Sequence, residues 1–342
     1  MIKEMIRQLV AGENLSAGET ASAVRTVMEG GATPAQIGSF LTALRLKGET
    51  MEEIFGAAVV MREKATRICR EKKELFDTCG TGGDGSNTFN ISTTVAFILA
   101  GAGISVAKHG NRAVSSSCGS ADVLEALGVR VDLPPPQVEE AVEKIGIGFL
   151  FAPLFHQAMK HAVGPRRELG FRTVFNLLGP LTNPAGADFQ LVGVFCRELA
   201  PVLAGVLLQL GVKRALVVHG AGGLDELSPA GENFLCEVGG DGPRSYTLRP
   251  EDVGLSSCPV TELRGGDSAT NARLLREVLR GGKGPRRDVV LLNAAAALYV
   301  AGRVDKIADG VKMAGEIIDS GKALDKLAAL VEFSRGEQAV CI

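Results

Sequence analysis

The chain has 342 residues, a mass of 35.7 kDa and a formal charge of −2, and 46% of its residues are apolar. This length predicts about two domains, and this apolar share is large enough for a substantial core. Because acidic and basic residues nearly balance, the net charge does not favour binding to nucleic acid or to a membrane surface, so any anion site must be local. The seven cysteines form no C-x-x-C pair and are odd in number, which favours a reducing cytoplasm over a disulfide scaffold or zinc ribbon.

The first 68 residues or so predict helices and no strand. Helical spacing of apolar residues begins at Ile2, and a second helix, capped by Ser16 or Thr20, is predicted to run through residue 28. Further helices are predicted after Thr33 and Thr50, the last ending at about residue 67. The charged amino terminus does not fit a signal peptide, and no run approaches the ~20 apolar residues of a membrane helix. We therefore expect a small helical bundle in a cytoplasmic protein without a membrane partner.

From about residue 74, short β-branched runs alternate with helical patterns. The predicted strands are 75–79, 104–108, 129–133, 148–152, 191–196 and 215–219. The predicted helices are 92–102, 121–127, 136–145, 199–210, 268–279, 288–301, 306–319 and 324–333, with more helix within 155–178. This alternation predicts an α/β fold with a mainly parallel central sheet and covering helices. We expect a small all-helical domain, 1–70, joined by about 155–185, and a larger α/β domain, 71–342.

A glycine-rich segment, 77–85 (DTCGTGGDG), follows the first predicted strand and leads through Asn90 into a helix. Such a turn aims several backbone N–H groups at one point, and a helix amino terminus adds free donors and a positive dipole end. The hydroxyls of Ser92, Thr93 and Thr94 add donors, while Asp84 suits loop orientation or water around a metal. The alternative is a simple turn before a capped helix, but capping requires neither these glycines nor these hydroxyls.

Known nucleotide loops fit this segment poorly. It lacks the G-x-x-x-x-G-K-[ST] spacing of a P-loop ATPase. A G-x-G-x-x-G register does run from Gly80 to Gly85, but no acidic strand end follows about 20 residues on, where the basic Lys108 stands instead. A dinucleotide-dependent dehydrogenase is therefore a weak rival.

Two further loops follow predicted strands. Residues 108–120 (KHGNRAVSSSCGS) supply cations and serines that suit a second phosphate, the alternative being a solvated polar loop. Asp225 and Glu226 follow the apolar strand 215–219 and a glycine-rich turn, and adjacent carboxylates there suit Mg²⁺. An Asp-Glu pair alone is more often plain surface. Since carboxyl ends of parallel strands meet at one edge of a sheet, we expect all these loops to lie together.

A fourth cluster lies within 156–168. His156 and His161 are five residues apart, a spacing that disfavours a shared metal on one helical face. Arg166 or Arg167 could bind a carboxylate with a forked guanidinium, or could pair with Glu168. No Ser/His/Asp nucleophile set is recognisable.

In this order the motifs resemble the anthranilate phosphoribosyltransferase family over nearly the whole chain. The matching segments are GTGGD at 80–84, NIST at 90–93, KHGN at 108–111, Arg166, FNLLGPLTNP at 175–184, DE at 225–226 and NAAAAL at 293–298. The resemblance implies the two-domain fold of nucleoside phosphorylases and this transferase class, usually paired as a homodimer through the helical part. It also implies transfer of phosphoribose from phosphoribosyl pyrophosphate (PRPP) to the amine of anthranilate, with release of pyrophosphate, in tryptophan biosynthesis.

The resemblance assigns site residues position by position. Those that would bind PRPP are Gly80, Gly83, Asp84, Thr88, Asn90, Ile91, Ser92, Thr93, Lys108, His109, Gly110, Asn111, Arg112, Ala113, Val114, Ser115, Ser116 and Ser120. Asn111 and Arg166 would contact anthranilate, with Gly80 near both substrates. Two Mg²⁺ ions per subunit are implied, one held by Ser92 and Glu226 and the other by Asp225 and Glu226.

The chemistry of the donor explains two anion loops, because PRPP has a pyrophosphate and a separate 5′-phosphate. The arylamine is neutral and nucleophilic, so we expect positioning to matter more than a general base, with His109 the candidate if one exists. Two alternatives stay open. A pyrimidine nucleoside phosphorylase-like enzyme would have more Lys and Ser in the first loop and no need for paired carboxylates. A non-catalytic relative that binds nucleic acid would need a basic face.

Overall fold

In this computed structural model the described residues are 2–68, 74–113, 117–240 and 242–336. The helices are α1 (Ile2–Val10), α2 (Ala17–Met28), α3 (Pro34–Lys47), α4 (Met51–Lys64), α5 (Ile91–Gly101), α6 (Ser120–Ala126), α7 (Pro135–Ile145), α8 (Ala152–Phe155), α9 (Lys160–Leu169), α10 (Val174–Leu178), α11 (Leu199–Gln209), α12 (Ser268–Leu279), α13 (Pro285–Val300), α14 (Ile307–Asp319) and α15 (Lys322–Arg335). The strands are β1 (Leu75–Gly80), β2 (Ser105–Gly110), β3 (Ile147–Phe151), β4 (Phe189–Gly193), β5 (Arg214–His219), β6 (Asn233–Val238) and β7 (Arg244–Leu248).

Three of the first four helices begin at side-chain caps. Ser16, Thr33 and Thr50 each accept a hydrogen bond from the backbone N–H three residues on, and the Glu or Gln at that position caps in return. These reciprocal bonds satisfy donors that a helix start otherwise leaves free. The four predicted helices are confirmed, and Ser16 is the cap of α2. The fourth ends at Lys64, slightly before the predicted end.

The strands form one seven-stranded sheet in the order β3-β2-β1-β4-β5-β6-β7. The pairs from β3 through β5 are parallel, while β6 and β7 are antiparallel additions at one edge. The predicted mainly parallel sheet is confirmed. The strand order reverses between β1 and β4, and in such sheets a crevice opens beyond the carboxyl ends at that point.

The predicted strand at 129–133 is wrong. Val129 and Val131 are buried among helices, and the Arg130 N–H donates to Ser334 Oγ (3.0 Å) instead of to a neighbouring strand. Pro134 and the two prolines after it lack N–H donors and begin α7, so the segment is a connection outside the sheet, with Arg130 and Asp132 exposed between the buried valines. Strand β4 also begins and ends earlier than predicted, at Phe189 and Gly193.

Strands β6 and β7 were not predicted. In β7 three of the five residues are exposed and none is buried, as expected at a sheet edge, so its apolar alternation is weak. Strand β6 is antiparallel to β5 and contains Asn233 and Glu237 within its six residues, which obscures the strand pattern.

Helices cover both faces of the sheet. On one face α5 and α13 pack together and share an apolar cluster with α12, α14 and α15. On the other face α11 packs against β5, β6 and α4, and one apolar cluster runs from the first four helices to Val192 and Val217 of the sheet. Helix α9 packs against α2 and α3, and α10 against α4. Within the described ranges, no helix combines the length and the apolar character needed to cross a lipid bilayer.

Candidate active site

Four strand ends meet at the point where the strand order reverses. Strands β1, β2 and β4 end at Gly80, Gly110 and Gly193, and β5 ends at His219. The loops that follow β1, β2 and β5 are the glycine-rich, basic and acidic segments of the sequence. The expectation that they open at one edge is therefore confirmed.

Asp225 lies directly over the ends of β1 and β4. A Cβ added at Gly80 would overlap the Asp225 carboxylate, and one added at Gly193 would overlap the Asp225 carbonyl oxygen. Asp225 Oδ2 accepts a hydrogen bond from the Gly82 N–H (2.7 Å). Glycine at both strand ends thus allows the acidic loop to close onto the glycine-rich loop.

The neighbouring carboxylates join the same cluster. Glu226 Oε1 accepts from the Ser92 N–H (3.2 Å) at the amino terminus of α5. Asp84 Oδ2 lies 3.5 Å from the Asp225 N–H, and Asp84 also accepts from the Ser86 N–H (3.1 Å). Three acidic residues from two distant segments therefore converge on one crevice.

Burial, together with this convergence, raises the pKa of both loop carboxyls. Asp225 and Glu226 keep partial contact with solvent, but the protein packed around them disfavours their charge. Burial, then the charge of Asp84, raises the pKa of Asp225 to about 7. Burial, then the charge of Asp225, raises the pKa of Glu226 to about 8. A divalent cation would relieve this repulsion.

The donor set fits Mg²⁺. Among the described ranges no group of three or more His, Cys, Asp or Glu side chains forms a ready cage for a metal. Magnesium requires no such cage, since it takes one or two carboxylates and fills its shell with water and phosphate oxygens. Asp225 and Glu226, with Ser92 beside Glu226, have hard oxygen atoms that could serve as ligands of that kind.

Lys108 links the basic loop to the glycine-rich one. Its buried Nζ donates to the Thr78 carbonyl (2.6 Å) and lies 3.5 Å from Ser92 Oγ. Burial lowers the pKa of Lys108, while the Asp77 carboxylate opposes that shift. The ammonium thus lies beside the start of α5, where the sequence predicts an anion.

Asp77 is a residue whose role the sequence did not predict. Its Oδ1 accepts from the His109 N–H (3.1 Å), and its Oδ2 accepts from Asn183 Nδ2 (2.8 Å). Asn183 Nδ2 also donates to the Ala107 carbonyl (2.8 Å). Asp77 and Asn183 therefore connect β1, β2 and the loop after α10. A buried acid within an apolar strand is the signal that could have identified this link.

His109 and His156 form a buried pair that sequence spacing did not predict. Their ring centroids are 5.0 Å apart, and His109 Nδ1 lies 3.2 Å from the Gly179 carbonyl. Within the described residues neither Nε2 has a hydrogen-bond partner. Burial lowers the pKa of His109 to about 3 and that of His156 to about 4, so both rings are neutral at pH 7. His161 lies elsewhere, against Gly30, as the poor spacing indicated.

The remaining donor-site candidates lie around the start of α5. Asn90 bonds to Cys118 (3.2 Å) and to Asn271 (3.0 Å), and Thr88 bridges to Arg264. Ile91 is buried, and Thr93 Oγ1 is buried without a hydrogen-bond partner among the described residues.

The basic loop is ordered by α6. Arg112 makes a fork to Glu125 (2.6 and 2.7 Å), so its charge is already engaged. The Ala113 N–H donates to Asp122 (2.9 Å), and Ser120 Oγ donates to the Asn111 carbonyl (3.3 Å). Val114, Ser115 and Ser116 lie outside the described residues.

Two arginines of the segment from α9 to α10 lie over phenylalanine rings. Arg166 lies 5.3 Å from the ring centroid of Phe175, and burial lowers its pKa. Arg172, which sequence analysis missed, lies 4.1 Å from the ring centroid of Phe195. Only the fold brings Arg172 beside the glycine-rich loop, because that proximity depends on the return of the chain after α9.

Comparison with known proteins agrees with this arrangement. Residues 3–65 match the model of the glycosyl transferase family, helical bundle domain, and residues 72–324 match that of the glycosyl transferase family, a/b domain. Over 334 residues the chain is 56% identical to the anthranilate phosphoribosyltransferase of Acetivibrio thermocellus, covering 98% of this chain and 97% of that protein.

Solved structures show the same similarity. The crystal structure of the anthranilate phosphoribosyltransferase of Thermus thermophilus superposes with a TM-score of 0.92 at 47% identity, covering 97% of this chain and 99% of that chain. The Saccharomyces cerevisiae enzyme in complex with PRPP and Mg superposes with a TM-score of 0.91 at 29% identity, covering 98% of each chain. The same yeast enzyme in complex with 4-fluoroanthranilate gives 0.88 at 28% identity, again covering 98% of each chain.

Proposed function

The chain belongs to the anthranilate phosphoribosyltransferase family, and from this membership we propose that it transfers the phosphoribosyl group of PRPP to the amine of anthranilate. The products are N-(5-phosphoribosyl)anthranilate and pyrophosphate, in a step of L-tryptophan biosynthesis. The observation that supports this most strongly is the meeting of the glycine-rich loop, Lys108 and the Asp225-Glu226 pair at one sheet edge. An anion-binding loop and a carboxylate pair together suit a metal-bound diphosphate.

The donor would lie across the first two loops. Backbone donors of the glycine-rich loop and the start of α5 would bind one phosphate group, and the basic loop the other. The binding residues we propose are Gly80, Gly83, Asp84, Thr88, Asn90, Ile91, Ser92, Thr93, Lys108, His109, Gly110, Asn111, Arg112, Ala113, Val114, Ser115, Ser116 and Ser120. The ion pair of Arg112 with Glu125 would have to open for its guanidinium to contact a phosphate.

Magnesium is the cofactor that the donor set supports, and the yeast relative was solved with PRPP and Mg. We propose two ions per subunit, one held by Ser92 and Glu226 and the other by Asp225 and Glu226. When bound, Mg²⁺ neutralises charge on the diphosphate. The raised pKa values of Asp225 and Glu226 predict that this affinity increases as pH rises toward 8, because the ligands must lose their protons.

The residues of the chain would stabilise the departing diphosphate. Breaking the bond between the ribose and the pyrophosphate places negative charge on the leaving group, and fixed N–H donors with the Lys108 ammonium lie where that charge develops. Anthranilate would contact Asn111 and Arg166, whose guanidinium suits its carboxylate. Its amine is neutral, so no general base is assigned, and His109 remains the candidate. Burial lowers the pKa of His109 to about 3, so its neutral ring can accept a hydrogen bond but is a weak base.

The proposal extends to assembly and location. Residues 1–70, joined by about 155–185, would form the helical domain, and 71–342 the α/β domain that binds the donor. We propose a homodimer paired through the helical part, a cytoplasmic location, and neither nucleic acid nor membrane as partner.

The direct test is an activity assay. Protein, Mg²⁺, PRPP and anthranilate are mixed, and loss of anthranilate fluorescence is followed. We expect turnover that requires both PRPP and Mg²⁺.

Glu226→Gln should raise the Mg²⁺ concentration needed by about 10- to 100-fold and lower turnover, because a ligand to the metal is lost. Glu13→Gln, an exposed change in the helical part, is the control. Phosphate-dependent cleavage of pyrimidine nucleosides with no loss of anthranilate would contradict the proposal.

A further inference from the structure

Arg172 lies where the glycine-rich loop meets the chain after β4. It follows the end of α9 and precedes α10, and its guanidinium lies 4.1 Å from the ring centroid of Phe195. A Cβ added at Gly83 would overlap the guanidinium, so the group lies against the backbone of that loop. Two surfaces, an aromatic ring and a glycine, thus hold one cation at the crevice.

The donors of this guanidinium are not used inside the protein. Within the described residues Arg172 makes no hydrogen bond and no ion pair, although Gly83 is adjacent to Asp84. Two other arginines of low exposure are bonded within the protein: Arg287 pairs with Asp319 (2.6 Å), and Arg62 donates to the Leu181 carbonyl (2.7 Å). Arg172 therefore keeps its N–H donors available for a ligand.

The charge of the crevice indicates what this ligand is. The cluster contains Asp84, Asp225 and Glu226, and Lys108, the buried cation there, already donates to Thr78. A diphosphate on the glycine-rich loop adds further negative charge that needs cations. A stacked guanidinium has a fixed fork that matches phosphate oxygens. The position on Gly83 favours the diphosphate over the anthranilate carboxylate, which Arg166 would bind.

We propose that Arg172 is a further binding residue for the pyrophosphate group of the donor, resting on Gly83 and Phe195. This inference depends on the proposed function. Because negative charge on the pyrophosphate grows as its bond to ribose breaks, the contact strengthens during the reaction. Arg172 therefore acts on the donor and on turnover, and not on the acceptor.

The test combines direct binding with kinetics. Pyrophosphate with Mg²⁺ is titrated calorimetrically into the full protein without anthranilate, for wild type, Arg172→Gln and Arg172→Lys. We expect roughly 10- to 100-fold weaker binding for Arg172→Gln, the range for a lost charge-assisted contact, and an intermediate loss for Arg172→Lys. The KM for PRPP should rise and kcat should fall, while the KM for anthranilate changes less than about twofold.

Arg244→Gln is the matched control, since Arg244 also lies over an aromatic ring, that of Tyr246 (5.8 Å), but on β7 at the far edge of the sheet. It should bind pyrophosphate as wild type does. Unchanged pyrophosphate binding in Arg172→Gln, or a rise in the KM for anthranilate alone, would overturn the inference. If circular dichroism shows that Arg172→Gln does not fold, the inference is tested on Arg172→Lys, with the same criteria for pyrophosphate binding and for the two KM values. Absence of turnover in wild type would reject the proposed function, while the calorimetric comparison would still test Arg172.

Discussion

At the scale of single residues, Asp225 is one of two carboxyls whose raised pKa makes the site respond to pH. Its carboxyl has an ordinary pKa of 3.8, and in the folded chain burial beside Asp84 raises this value to about 7. The folded state therefore holds a proton that the unfolded chain has lost. The contribution of the neutral Asp225 carboxyl to the free energy of unfolding is fully present below about pH 4. It is lost as pH rises through about 7.

Asp225→Asn should remove this decrease in folding stability at high pH, because the amide stays neutral. In EDTA at pH 8.5 we expect the variant to melt roughly 2 °C or more above wild type, with a smaller difference at pH 5. Melting curves at both pH values, with and without Mg²⁺, measure the effect, and Mg²⁺ should raise the melting temperature of wild type more than that of the variant. Asp305→Asn, an exposed change, is the control. An equal difference at both pH values would contradict this account.

Residues within a motif were easier to predict than residues that meet only in the fold. The segments around Gly80, Lys108 and Asp225 could be predicted because each follows a predicted strand and its composition suits an anion or a cation. His156 and Arg172 could not be placed, because their neighbours, His109 and Gly83, are distant in sequence.

At the scale of elements, the ends of β1 and β4 determine where the acidic loop can lie. Gly193 pairs with Gly80 in the parallel ladder, and the Asp225 backbone lies against Gly193. A side chain at the end of either strand would displace the carboxylates from the crevice.

Gly193→Ala tests this packing. The added methyl would overlap the Asp225 carbonyl oxygen, so we expect a loss of about 1–3 kcal/mol in the free energy of unfolding and at least about tenfold in turnover. Gly18→Ala is the control, since a Cβ at that helical position of α2 has no neighbour within 4 Å. It should be neutral or stabilise by about 0.5–1 kcal/mol. Urea unfolding and the fluorescence assay measure both, and a Gly193→Ala protein as active as wild type would refute the argument.

The predicted elements succeeded where local signals were strong. Caps and apolar spacing located the helices, and β-branched runs located the parallel strands. The predictions failed at 129–133, where the alternating buried residues pack against helices. They also failed at β7, where the edge position weakens the apolar pattern. Such errors arise because tertiary neighbours, and not the segment itself, decide which side chains are buried.

At the scale of the whole molecule, large exposed apolar side chains occur on three packed helices of the helical part. Val10, Leu46 and Val163 are 73%, 83% and 53% exposed, and they belong to α1, α3 and α9, of which α3 contacts both others. Large apolar side chains on neighbouring elements are typical of a surface covered by a partner. This supports the proposed homodimer.

Leu46→Asp tests that assembly. A buried charge at a dimer interface is costly, so we expect the variant to elute as a monomer in size-exclusion chromatography with light scattering, with helical content unchanged. Leu208→Asp, on α11 and 39% exposed, is the control and should keep the mass of wild type. A Leu46→Asp variant that remains a dimer would place the interface elsewhere.

The apolar cluster that runs from the first four helices to Val192 and Val217 limits how the molecule can move. Any hinge that separated the bundle from the sheet on that side would expose this shared surface to water, at a cost that grows with the area exposed. We therefore expect entry and exit of substrates to depend mainly on the loops at the strand ends. We also expect a truncated bundle expressed alone to expose an apolar surface that favours aggregation.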